Sequence, residues 1–261
     1  MNTMPTLFVS HGAPTFALEP GEAGRELAAL AQTIPTPRAI LIASPHWMSP
    51  ALGLTASARP ETIHDFGGFP APLYDLRYPA PGDPALAARA VGLLAAAGVD
   101  AQPDPRRGLD HGAWVPLLHM YPDAAVPVVQ ISMPGRRPAS WFHAIGRALS
   151  PLRDEGILIV GSGSLTHNLY EFTGTAAGTT AYVGAFAQWI ADTLAAGDVD
   201  ALLDYRRLAP HAERAHPTDE HLMPLMFAHG AAGTDAQARR LAAADVRYGM
   251  LAMDAYVFGE A

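Results

Sequence analysis

Neither cysteine nor lysine occurs anywhere in this chain of 261 residues. Without cysteine there is no thiol nucleophile, no disulfide and no iron–sulfur cluster. Without lysine there is no Walker A loop, no Schiff base and no pyridoxal phosphate chemistry; all 17 basic residues are arginine. Charge is scarce, at 16% of residues, and its net balance is −8. Phosphate recognition depends on clustered cations, so this balance argues against a nucleic-acid partner. Long hydrophobic runs are missing too, since no window approaches the ~18 apolar residues that span a bilayer. The N-terminal stretch lacks a basic n-region, and its apolar run is too brief for a signal peptide. Together these absences predict a cytoplasmic protein with neither a nucleic-acid nor a membrane partner.

What is present is a large apolar fraction, 49% of residues. That is enough for one sizeable core, so 1–261 is expected to form a single domain. The quiet, apolar-rich surface is compatible with a homo-oligomer. Short runs rich in Val, Ile and Leu lie at 6–9, 39–44, 126–132 and 157–161, each followed by Gly, Pro or Ser. Their continuous rather than alternating character fits strands covered on both faces. Helix-forming composition occupies 22–32, 84–97, 138–152 and 181–196, and the first three of these lie between strand candidates. The expectation is an α/β fold with a mostly parallel sheet. Residues 56–83, dense in Pro, Gly and aromatics, form an irregular stretch too long to be a passive connection.

Histidines sit just beyond the strand candidates, in Ser10-His11-Gly12, Ser44-Pro45-His46-Trp47 and Ser164-Leu165-Thr166-His167-Asn168. In an open parallel sheet the carboxyl ends of the strands are where ligands collect, so three imidazoles at that edge suggest a mononuclear metal site. A fourth, His221, follows His216-Pro217-Thr218-Asp219-Glu220, which reads as a helix start with Pro and acidic residues in its first turn. Glu220 rivals His221 there, because two histidines and a carboxylate also make an open ferrous site.

Asp110 reads as the cap of a helix over 114–120. His111 beside it is either a cap neighbour or a donor to a substrate oxygen. His64 opens His64-Asp65-Phe66-Gly67-Gly68-Phe69-Pro70, which would suit a lid over an aromatic substrate or a loop packed on itself. His119, His143, His211, His216 and His229 read as surface or helix residues. Gly161-Ser162-Gly163-Ser164 lacks the spacing of a nucleophile elbow and the lysine of a phosphate loop. Its glycines are expected to turn the backbone so that His167 faces the metal. Arg77, Arg106 and Arg107 are candidates for holding a substrate carboxylate.

In this order, Ser10-His11-Gly12-Ala13-Pro14, Ser44-Pro45-His46-Trp47, Asp65-Phe66-Gly67-Gly68-Phe69-Pro70, Leu109-Asp110-His111-Gly112-Ala113-Trp114, Gly161 through Leu169 and His216 through His221 resemble the class III extradiol ring-opening dioxygenases. The similarity is to their small single-domain, DOPA dioxygenase-like branch and covers nearly the whole chain. The resemblance implies a three-layer α/β sandwich with one metal held by His11, His46 and His221. It places His167 beside the metal as base or fourth ligand and His111 in the substrate site; there His111 would serve as a proton donor, and Phe66 and Phe69 of the lid candidate would lie against the substrate. Fe(II) is the metal expected for a dioxygenase, although Zn(II) would bind an all-histidine site well. The implied reaction opens a catechol, or a related dihydroxy aromatic, beside its hydroxyls with O2. A zinc hydrolase using Glu220, or a non-catalytic metal or peptide-binding module, are the alternatives.

Overall fold

The computed structural model describes residues 3–172, 180–233, 236–243 and 245–259. Ten strands are defined among these residues: β1 (Thr6–Ser10), β2 (Ala39–Ala43), β3 (Leu52–Thr55), β4 (Ala101–Asp104), β5 (Val128–Ile131), β6 (Ile157–Gly163), β7 (Ala238–Leu241), β8 (Val246–Arg247), β9 (Leu251–Ala252) and β10 (Ala255–Phe258). Eight of them make one sheet in the order β4-β3-β5-β2-β6-β1-β10-β7, and β8 and β9 form a separate hairpin. The centre of the large sheet, β5-β2-β6-β1, is parallel throughout. These four are the strands that the continuous apolar runs predict, and every residue in them is buried. Antiparallel pairs occur only toward the margins, at β3 with β5, β1 with β10 and β10 with β7. These outer strands escape the sequence reading because they are short, and β4 and β7 are partly exposed.

Side-chain alternation along β2 explains the layers. Leu41 and Ala43 point into one hydrophobic cluster, whereas Ile40 and Ile42 point into another on the opposite face. Helices α1 (Gly21–Thr33) and α3 (His111–Met120) cover the second face, through Leu27, Leu30, Trp114 and Leu117. The first face is covered by α2 (Pro84–Ala96), α4 (Ala139–Leu149), α5 (Ala181–Ala196) and α6 (Met223–Ala232). The result is a three-layer α/β sandwich, as expected. Local chemistry sets the α2 start: Pro84 occupies the first turn, and the Asp83 carboxylate accepts from Leu86 N at 2.9 Å.

One predicted element is absent. Residues 216–222 form turns rather than a helix start, and α6 begins only at Met223, with Pro224 in its first turn. The segment is instead bound to the far end of β6: Ser164 N donates to His221 O at 2.9 Å, and His167 N to Ala215 O at 2.8 Å. Backbone carbonyls at the two ends of that segment accept from the neighbouring loop, which overrides the helical look of Pro217 and the acidic pair.

Candidate metal centre

Strand ends supply the first two histidines. His11 follows β1 directly and His46 lies three residues beyond β2, so both stand over the carboxyl edge of the parallel sheet. His11 Nε2 and His46 Nε2 approach to 3.1 Å. His221 reaches the same point from its turn, with ring centroids 5.5 Å from His11 and 5.1 Å from His46. Donor atoms of His11, His46 and His221 all lie within 4.8 Å of one another. The His221 Nε2 atom is buried and has no hydrogen-bond partner among the described residues, which is costly unless something binds there. Burial, reinforced by the neighbouring imidazoles, holds His11 and His221 well below the ordinary histidine range. Burial is also the chief reason that His46 falls to about 3. Three neutral imidazoles converging on one buried, unpartnered nitrogen make a donor set suited to a divalent metal.

Each of the three also has a group at Nδ1. His11 Nδ1 lies 3.0 Å from Ser162 Oγ, His221 Nδ1 is 3.3 Å from Glu220 Oε1, and His46 Nδ1 is 3.5 Å from Asp65 Oδ2. Glu220, the rival ligand, therefore stands behind His221, where it also accepts from Thr218 Oγ1. Such carboxylate–histidine pairs orient a metal-binding imidazole.

His167 and His111 flank the cluster. His167 stacks on His221 with centroids 3.5 Å apart and planes 8° from parallel. Burial lowers its pKa to about 4, against the opposing pull of Glu220. His111 is the first residue of α3, and Asp110 caps that helix by accepting from Ala113 N. Its imidazole is held by a residue that the sequence reading quotes in a motif without giving it a role. Asp65 Oδ1 accepts from His111 N at 2.8 Å, and Oδ2 from His111 Nδ1 at 2.9 Å. Burial disfavours the Asp65 carboxylate, but these bonds and the electrostatic pull of the adjacent imidazoles outweigh it and bring the pKa to about 2.

The irregular stretch 56–83 delivers Asp65. Leu109 N donates to Glu61 O and Ile63 N to Leu109 O, both at 2.8 Å, which fastens the loop along the approach to α3. Phe66 then meets His111 edge-on at 5.6 Å and Phe69 at 5.5 Å. Phe66, Phe69, Leu169 and Leu251 join His11, His46, His111, His167 and His221 in lining a cleft of about 180 Å³. His64 does not line it and bonds to Leu76 O at 3.0 Å.

Beneath the cleft, the fully buried Asp110 carboxylate accepts from Ser44 Oγ at 2.7 Å and from Gln130 Nε2. Arg107 pairs with it at 3.3 Å, donates to His46 O and covers the Trp47 ring. This network ties the end of β2 to the start of α3, and so His46 to His111.

Several expectations are corrected. Gly161 and Gly163 do not turn the chain toward His167. They are strand residues whose missing Cβ atoms leave room for backbone, since a Cβ would fall 2.0 Å from Pro224 O and 2.2 Å from His221 O respectively. His216 is fully buried outside any helix and bonds to Leu165 O at 2.8 Å, so it is neither a surface nor a helix residue, whereas His229, buried within α6, is a helix residue as expected. Arg77, Arg106 and Arg107 do not line the cleft. Arg136 and Arg137 do line a second cavity of about 330 Å³, which Glu220 also borders.

The chain is similar over most of its length to proteins named as dioxygenases. Residues 5–259 match the family model described as the catalytic LigB subunit of aromatic ring-opening dioxygenase. The chain is 40% identical to a 4,5-DOPA dioxygenase extradiol of Beta vulgaris, over 91% of this chain and 90% of that protein. It is 42% identical to the protein of the same name in Escherichia coli K12, over 87% and 85%. The crystal structure of an uncharacterized Escherichia coli K12 protein superposes with a TM-score of 0.78 at 32% identity, covering 98% of this chain and 100% of the other. The chain belongs to the LigB family of extradiol, aromatic ring-opening dioxygenases.

Proposed function

We propose that the protein opens the ring of a catechol beside its hydroxyls, with His11, His46 and His221 holding a single Fe(II) and the whole chain, 1–261, acting as one catalytic domain. The observation that carries this reading is the convergence of the three imidazoles, with the unpartnered His221 Nε2 among them, at a small cleft lined by aromatic rings. Relatives named 4,5-DOPA dioxygenase support a dihydroxy aromatic as the substrate, with O2 as co-substrate. Bound Fe(II) would supply the redox link between the two, which Zn(II) with its filled d shell would not.

The remaining roles follow from the residues. His167 is neutral at physiological pH and stacked against a ligand, so it is placed to take a hydroxyl proton from the substrate. His111 spends its Nδ1 hydrogen on Asp65, which leaves the Nε2 lone pair to accept a proton from a substrate hydroxyl and to return that proton as the ring opens. Phe66 and Phe69 give the ring an apolar wall that keeps water away. Glu220, the base that a hydrolase would use, is occupied by Thr218 and His221.

The test is anaerobic reconstitution of the apoprotein with Fe(II), addition of catechols including DOPA, and admission of air. A yellow ring-opened product should form as oxygen is consumed, whereas the zinc-loaded protein should bind catechol and leave it intact. No turnover of any catechol by protein verified to carry Fe(II) would overturn the reading. Changing His11, His46 or His221 to Ala should abolish metal binding. His167→Ala should keep the metal and lose turnover by roughly 10²–10⁴-fold, the usual worth of a general base; loss of the metal would make His167 a fourth ligand instead.

A further inference from the structure

We infer that Ser162 is a positioning residue for the metal centre, fixing His11 as the tautomer with its lone pair on Nε2, and that Pro116 in α3 is what commits Ser162 to that task. The consequence for metal binding rests on the reading of His11 as a ligand; the tautomer does not.

In an α-helix each carbonyl accepts from the N–H four residues on. Four residues beyond Gly112 in α3 stands Pro116, which has no N–H to give. A buried carbonyl deprived of its donor needs another. The Ser162 hydroxyl in β6 supplies it, donating to Gly112 O across the interface between α3 and the sheet. Ser162 is fully buried, and among the described residues the only other hydrogen-bond contact of its hydroxyl is His11 Nδ1 at 3.0 Å.

The direction of that second bond follows by counting hydrogens. A carbonyl oxygen can only accept, and a hydroxyl has a single hydrogen. Once that hydrogen is given to Gly112, Ser162 Oγ can only accept from His11, so Nδ1 must carry the imidazole hydrogen. His11 is 1% exposed, and a second proton in its crowd of imidazoles is disfavoured. The neutral ring then has its lone pair on Nε2, the atom 3.1 Å from His46 Nε2. Were the hydrogen on Nε2 instead, that atom could not bind a metal. The relay therefore runs from the missing N–H of Pro116 through Gly112 O and Ser162 Oγ to the face that His11 presents to the metal.

The test reads tautomer and affinity separately. Long-range ¹H–¹⁵N spectra of the apoprotein's imidazoles, with His11 assigned by its loss in His11→Gln, should show the Nδ1–H form. Ser162→Ala, a deletion of one oxygen, should shift His11 toward the Nε2–H form and weaken zinc binding in chelator competition by roughly 10–100-fold, as loss of an outer-shell partner does. Pro116→Ala supplies an N–H that competes for Gly112 O and releases the serine hydrogen. It should leave the apoprotein at least as heat-stable as the wild type, yet mix the tautomers and weaken zinc binding. A role in packing alone would move stability and affinity together. An Nε2–H His11 in the wild type, or an unchanged Nδ1–H form in both variants, overturns the proposal. Zinc binding that survives His11→Ala, with the tautomers behaving as described, would reject His11 as a ligand and leave the lock itself standing.

Discussion

What separates four of the five clustered histidines from one another is the group at the second ring nitrogen. A serine backs His11, a glutamate backs His221, and an aspartate backs His111 and lies near His46. Asp65 is the most connected of these groups, because one of its oxygens serves His111 Nδ1 and sits 3.5 Å from His46 Nδ1. Asp65→Asn keeps the shape but not the charge, and an amide nitrogen facing His111 Nδ1 would drive the imidazole into its other tautomer. Turnover is expected to fall roughly 10²-fold or more with the metal retained, by analogy with other aspartate–histidine pairs whose tautomer is disturbed. Steady-state rates and metal content measured together check this, and unchanged rates would remove Asp65 from the site.

At the level of elements, the site exists because a turn lies flat on a strand. The strand β6 has glycine at 161 and 163 where the backbone of His221 and Pro224 presses against it. Gly163→Ala should therefore push His221 away from the cluster and weaken zinc binding, with a cost to stability of about 1–3 kcal/mol from overpacking. Gly184→Ala, on α5 with nothing near its Cβ position, should leave metal binding unchanged. Titration with a chelator and thermal melts of the two variants distinguish these outcomes. The sequence misleads at this place for a physical reason. Pro217 and the acidic pair have the composition of a helix start, but the carbonyls of Ala215 and His221 are drawn into bonds with His167 and Ser164, and that competition is tertiary.

For the molecule as a whole, a cluster of buried neutral histidines is an acid liability. His46 and His216 are pushed down to about 3, and His167 and His229 to about 4, in each case chiefly by burial. In the unfolded chain the same groups titrate near the ordinary histidine value of about 6.5. Between these limits the unfolded state binds more protons, so stability is complete above about pH 6.5 and falls as the pH drops. Each group contributes up to about 1.4 kcal/mol per pH unit, so several acting together weigh heavily against a typical domain's stability of about 5–15 kcal/mol. The apoprotein's melting temperature is expected to fall steeply between about pH 6.5 and pH 5. Added Zn(II) should protect it, because a bound metal favours the deprotonated, folded state. A flat profile would mean that these histidines are not neutral in the fold. Among the described residues no helix is long and apolar enough to cross a membrane, in keeping with the absence of long apolar runs.

The chain's own order of residues determined which chemistries were available. It excluded thiol and lysine catalysis, and it placed His11, His46 and His167 beyond three apolar runs whose strand character is local and therefore legible. It also carried His111, Phe66 and Phe69 in motifs that the fold gathers at one cleft. Tertiary structure alone decided which nitrogen of each imidazole faces inward. That depends on Ser162 lying in the strand beside β1, 151 residues from His11 in sequence, and on Asp65 being carried 46 residues back to α3. Strand order brings such partners together, and strand order is a property of the packed sheet rather than of any one segment.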